Sequence, residues 1–179
     1  MAATTDAIDA LRRLSSTVNG EPVQLDLPAG DYVTLLDVLR DVLGITSPKN
    51  SCQPQAQCGC CTVLMDGKAV LSCALSPEKA EGKAITTLEG LDDEHRKQIS
   101  ESFVRCGGVQ CGFCIPGMAM RAVGLCEKSI NPSREEIAGA LDISVRTVEF
   151  HKYQMMETLA LHNSTELTHF AIKHGIVTI

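Results

Sequence analysis

Four closely spaced cysteines, Cys52, Cys58, Cys61 and Cys73, constrain this chain more than any other feature. The stretch reads SCQPQAQCGCCTVLMDGKAVLSC, with the spacing Cys52-x5-Cys58-x2-Cys61-x11-Cys73. The sequence holds nine cysteines in all, an odd number, so complete pairing into disulfides is impossible. The opening segment, MAATTDAIDALRRLSSTVNG, lacks the apolar core of a secretory signal. No run of about 18 apolar residues occurs, so no membrane span and a cytoplasmic, reducing location are expected. In that setting clustered cysteines point to metal or redox chemistry rather than to structural disulfides.

The spacing narrows the chemistry. A 2Fe-2S cluster takes four thiolates around two irons, and its plant-type spacing is C-x4-C-x2-C with a distant fourth cysteine. The first gap here is one residue longer, which reads as an insertion in the loop. A tight loop containing glycine suits such a cluster, because amide groups aimed at the sulfurs help to set its potential. Zinc is the competing reading, but zinc sites favour two C-x2-C knuckles, and this stretch has only Cys58-x2-Cys61. Inert buried thiols are the other alternative, and four so close together rarely arise in that way. Cys60 is supernumerary and reads as a small packed side chain.

At 179 residues and 44% apolar content, the chain can build a real core in one domain or two small ones. The formal net charge of −6 argues against a surface made throughout for nucleic acid or anionic lipid. Aromatic residues make up 3% with no Trp, which leaves little for stacking single-stranded bases.

Three regions follow. Residues 1–91 read as strand, strand, helix, cysteine loop, hairpin. Asn19-Gly20 and Asp66-Gly67 mark hairpin turns. Leu35, Leu36, Leu39, Val42 and Leu43 recur at helical spacing, with Gly44 as the stop. Residues 92–141 read as helical: Pro116 suits the first turn of a helix through Met118, Val123 and Leu125. Ser133 with Glu136 forms a capping box ahead of Ile137 and Leu141. In residues 142–179, Ser144 caps a helix through Val145, Val148, Met155 and Leu159. Asn163 with Glu166 opens another through Leu167, Phe170 and Ile172, ended by Gly175. The order of elements in the first region suits a small mixed α+β domain.

CGCCTVLMDGKAVLSC, TTLEGL (residues 86–91) and QCGFCIPGMAM (residues 110–120) together resemble the small iron–sulfur subunit of the molybdenum hydroxylases, over about residues 12–141. That family includes xanthine dehydrogenase, aldehyde oxidoreductase and carbon monoxide dehydrogenase. The resemblance implies an oxidoreductase subunit with no substrate site of its own. Electrons would pass from a molybdopterin-binding large subunit, through clusters on this chain, to an FAD-binding medium subunit. It also implies that Gln110 and Cys111 lie beside the pterin, and that Cys111 and Cys114 belong to a second cluster. In the family a later C-R-C-T-G-Y motif completes that set. Here REEIAGAL (residues 134–141) leads into DISVRTVEFHKYQMM, and no cysteine follows Cys126. Cys106-x4-Cys111-x2-Cys114 copies the plant-type spacing, yet Cys106 and Cys126 read better as packed thiols.

Residues 137–179 are similar to something else, the C-terminal part of a LuxR-type helix-turn-helix domain. This implies a recognition helix exposing Arg146, Thr147, Glu149, His151 and Lys152 on one face, with Arg146, Thr147 and Lys152 as DNA contacts. Together the two resemblances imply the fold class α+β, a plant-ferredoxin-like (β-grasp) 2Fe-2S domain followed by a helical bundle and a helix-turn-helix-like tail. Residues 142–179 carry three Lys/Arg against four Asp/Glu, a poor footing for phosphate binding. Three functions are therefore expected in order: an electron-transfer subunit, a redox-responsive DNA-binding regulator, and a truncated or fused chain with one cluster and no partner.

Overall fold

A computed structural model describes residues 11–28, 33–52, 54–105, 107–129, 132–141 and 143–174. Strands β1 (Leu11–Val18) and β2 (Glu21–Pro28) form the first hairpin, paired Leu14↔Leu25 and Ser16↔Val23. Its turn puts Asn19 at φ 53° and Gly20 at φ 85°. Both central residues of a type I′ turn need positive φ, and Asn and Gly tolerate it best. The second hairpin repeats the device: Asp66 (φ 49°) and Gly67 (φ 73°) join β3 (Thr62–Met65) to β4 (Lys68–Leu71).

The sheet is mixed, in the order β2-β1-β5-β3-β4. Its middle strand, β5 (Ala84–Thr86), is parallel to β1 and antiparallel to β3. This strand is missing from the sequence reading, because three residues are too few to show an alternation. Leu14, Val18, Leu27, Val63 and Ile85 supply the sheet's side of the core.

The helix expected from Leu35 onward forms, but not in one geometry. Thr34 caps it with a capping box to Asp37, α1 runs Leu35–Asp37, and the chain then widens into a π-turn at Val38–Val42. The Leu43 N–H reaches Val38 O at 3.0 Å, the i→i+5 bond of that turn. The widening keeps Leu35, Leu36, Val38 and Leu39 in the core but rotates Val42 out to 53% exposure, so Val42 does not belong to the apolar stripe. Gly44 then ends the element at φ 69°.

The remaining helices are α2 (Asp93–Arg105), α3 (Ile115–Cys126), α4 (Arg134–Leu141), α5 (Val145–Thr158) and α6 (Ser164–Lys173). The expected caps are present: Ser133 with Glu136, Ser144 on the Thr147 N–H, and Asn163 on the Glu166 N–H. Gly175, expected to end the last helix, lies outside the described residues. α3 lies against β3 and β4, and Leu64, Met120 and Val123 form a small core between them. α4 packs on α3 and α5 on α4. Among the described residues no helix is long and apolar enough to cross a membrane.

Candidate metal centre

The cysteine loop folds back on itself through two left-handed residues, Ala56 (φ 55°) and Gly59 (φ 71°). An alanine in that region costs on the order of 1 kcal/mol, so the loop holds it against a local preference. The turn aims backbone N–H groups of Cys58, Gln57 and Gln55 at the Cys52 sulfur, and these pull its pKa down to about 6. The Ala56 N–H points at Cys73.

The outer face of the loop is pinned as firmly. Three successive carbonyls are each occupied: Gly59 O by the Thr62 hydroxyl (2.6 Å), Cys60 O by the Lys49 N–H (3.0 Å) and Cys61 O by the buried Ser72 hydroxyl (2.7 Å). The four thiols separate into two kinds. Cys61 and Cys73 are buried, 1% and 4% exposed, against Leu36, whereas Cys52 is half-buried and Cys58 exposed. Burial, and then the neighbouring Cys61, push Cys73 up to about 12. A thiol so placed resists ionising alone, and a cationic iron held there would reverse that balance.

Cys52 neighbours Cys58 and Cys73 neighbours Cys61, with Cys52 also within electrostatic reach of Cys73. Among the described residues no three His, Cys, Asp or Glu side chains converge on a single ion. Four thiolates shared between two irons, two apiece, require no such convergence. The donor set and the amide-rich loop therefore fit a 2Fe-2S cluster. Cys60 is buried, as expected, and its pKa is raised to about 11 by burial and then by Cys58, with Cys114 also contributing.

The second set is a different case. Cys111 and Cys114 are both exposed and lie just before α3, with Cys114 at its N-cap and Gln110 exposed beside them. Cys126 is exposed rather than packed, which corrects the sequence reading. It sits at the far end of the 12-residue α3. At 1.5 Å per residue that is about 18 Å from Cys114, too far to share a cluster. Cys106 lies outside the described residues.

Sequence reasoning missed how α3 reaches the loop. A β-carbon at Gly117 would collide with Gly59 O and lie 2.8 Å from Cys60 Cα, and one at Gly124 would lie 2.9 Å from Leu64 Cδ2. These two glycines, seven residues apart, let the helix rest directly on the cysteine loop and on β3. Two glycines two turns apart cost helix propensity, and that was the available signal.

Several residues of the expected DNA-reading face are engaged within the fold. Helical rotation places Arg146 and Lys152 roughly 120° apart on α5. Thr147 is engaged with the Ser144 hydroxyl at 2.8 Å, Lys152 donates to Ser164 Oγ on α6 at 2.6 Å, and Glu149 pairs with Arg134 on α4. Arg146 alone of the three proposed contacts is exposed. Phe150 and Tyr153, 57% and 63% exposed, occupy the outer surface instead.

Three family matches divide the chain. The family described as 2Fe-2S iron-sulfur cluster binding domain matches residues 16–88, and that described as 2Fe-2S binding domain matches residues 87–147. Bacterial regulatory proteins of the luxR family match residues 132–171. The chain is 42% identical to the aldehyde oxidoreductase of Megalodesulfovibrio gigas, over 68% of its own length and 13% of that protein's. It is 37% identical to the xanthine dehydrogenase iron-sulfur-binding subunit of Escherichia coli O157:H7, over 72% of its own length and 82% of that subunit's. Among solved structures it is similar to quinoline 2-oxidoreductase from Pseudomonas putida 86, with a TM-score of 0.66 and 38% identity. That match covers 74% of this chain and 80% of the other.

Proposed function

The chain belongs to the small iron–sulfur, electron-transferring subunits of the molybdenum hydroxylases, and on that premise we propose that Cys52, Cys58, Cys61 and Cys73 hold its one complete 2Fe-2S cluster. The observation that carries this is the loop itself: three backbone N–H groups converge on Cys52 while Cys61 and Cys73 lie buried behind it. Bound there, the cluster supplies one-electron redox chemistry. The chain's own part is to fix the four thiolates, aim amides at them and keep one side of the site dry.

We further propose the rest of the wire. Electrons enter from a molybdopterin-binding large subunit, beside which Gln110 and Cys111 lie, and leave toward an FAD-binding medium subunit, all in the cytoplasm. Residues 1–91 form the ferredoxin-like domain, 92–141 the helical domain and 142–179 the helix-turn-helix-like segment. Cys111 and Cys114 provide half of a second ligand set, and residues 142–179 supply no thiol to complete it.

The test is co-elution from the native source: iron, molybdenum and flavin assayed across a gel-filtration profile of the fractions containing this chain. All three are expected in one peak well above 19.2 kDa. Iron in a peak without molybdenum or flavin contradicts the assignment. A regulator would instead bind an operator tightly at physiological salt. With Lys152 and Thr147 already committed within the fold, Arg146→Ala is expected to leave weak, salt-sensitive DNA binding almost unchanged in a fluorescence anisotropy titration, short of the roughly 1–3 kcal/mol that a base-reading arginine is worth.

A further inference from the structure

The motif TTLEGL carries no thiol, and the metal centre as described gives it no task. Its position does. Glu89 sits in the short 3-10 turn Leu88–Gly90 that follows β5. Its carboxylate accepts the Ser47 N–H at 2.9 Å, the Ser47 hydroxyl, and the Thr87 hydroxyl at 2.7 Å. Burial works to raise the Glu89 pKa, but the Ser47 and Thr87 hydrogen bonds outweigh it and hold the carboxyl below its ordinary value. Thr87 is fully buried and donates its own N–H to Asn19 Oδ1 at 2.8 Å, in the turn of the first hairpin. The carboxylate is therefore anchored to the sheet on one side and grips a loop 42 residues away in sequence on the other.

That loop is held from a second direction. Arg40, on the π-turn, donates to Thr46 O at 3.1 Å and to Pro48 O at 2.6 Å. From a third, the Lys49 N–H donates to Cys60 O, inside the ligand loop, at 3.0 Å. Residues 46–49 are thus fixed to the sheet, to the helix and to the cysteine loop, and Cys52 follows three residues later. The gap from Cys52 to Cys58 holds five residues, one more than the plant-type spacing. A longer loop has more freedom to lose, so a firm base matters more.

We propose that Glu89 and Arg40 are positioning residues that clamp the segment 46–49 and thereby fix where Cys52 stands among the cluster ligands. The proposal rests on the ligand assignment above. It gives the TTLEGL turn a role at a distance: Glu89 touches no ligand, but it sets the base from which the Cys52 sulfur meets the amides of Gln55, Gln57 and Cys58.

The experiment uses the full chain as purified with its iron and compares wild type with Glu89→Ala, Glu89→Gln and Arg40→Ala. Three quantities are read: iron release to a ferrous chelator, the midpoint potential, and the EPR spectrum of the reduced protein. Loss of a group hydrogen-bonded to a ligand typically weakens a metal site by about 10–100-fold; Glu89 acts one step further out, and Glu89→Ala is expected to speed iron release by less than that but measurably. Its potential and EPR line shape should move as well, which a loss of general stability would not cause. Glu89→Gln keeps an acceptor for the Ser47 N–H and is expected to rescue most of the effect. A Glu89→Ala protein with wild-type release rate, potential and spectrum overturns the clamp. Should that variant fail to fold, Arg40→Ala, which removes the second arm of the clamp, decides, and three wild-type readings there overturn it equally. Wild-type protein with no cluster would instead sink the ligand assignment, so the two failures are distinct.

Discussion

Replacing Cys58 by serine is expected to strip the protein of nearly all its iron and of its visible colour. Cys58 is proposed to contribute twice: its thiol as one of four ligands, and its backbone N–H as the largest influence on the neighbouring Cys52. An alcohol oxygen is a poor iron ligand beside thiolate, so three thiols remain for two irons that need four. The loss of affinity should exceed the roughly 10–100-fold cost of losing an outer-shell partner. Cys126→Ser is the matched control, because Cys126 is also exposed but stands at the far end of α3. Iron analysis and absorbance of the two variants side by side check this. Full iron content in Cys58→Ser removes Cys58 from the ligand set.

Gly117→Ala should give the largest effect on stability of any single methyl addition on α3. The new carbon would meet backbone, Gly59 O and Cys60 Cα, on the far side of the contact. Backbone yields less readily than the tip of a flexible side chain. Overpacking of this kind costs about 1–3 kcal/mol, and a backbone clash belongs at the upper end. The cost should also appear at the metal centre, since α3 presses on the cysteine loop. Gly139→Ala is the contrast. It lies within α4 with open space where its β-carbon would go, so it should stabilise by roughly 0.5–1 kcal/mol through helix propensity. Chemical denaturation of both variants tests the pair, and equal stabilities would show that α3 does not rest on the loop.

Legibility in the sequence followed the range of the interactions. Asn19-Gly20, Asp66-Gly67, the Ser133–Glu136 box and the caps at Ser144 and Asn163 are all settled within about four residues, and each is where the residues say it should be. The proposed four-thiol ligand set is of the same kind, written almost contiguously in one loop and hairpin. What escaped is non-local. β5 is only three residues long and occupies the centre of the sheet because of what pairs with it on both sides. The π-turn at Val38–Val42 reflects how four apolar side chains and Arg40 are shared between the core and the loop at 46–48. On the helix expected to read DNA, Lys152 is drawn to α6 and Glu149 to α4, contacts that no local pattern records. The role of Glu89 needed the distance from residue 89 back to residue 47, which no local pattern records.

The central claim is one complete 2Fe-2S cluster on this chain. It is tested most directly by measuring iron and acid-labile sulfide per chain together with the EPR spectrum of the reduced protein. Two irons, two sulfides and a single EPR signal are predicted, because a single complete four-cysteine set is assigned. Four irons with two distinct signals would show that Cys111 and Cys114 find further ligands. Iron or zinc without sulfide would contradict the cluster altogether.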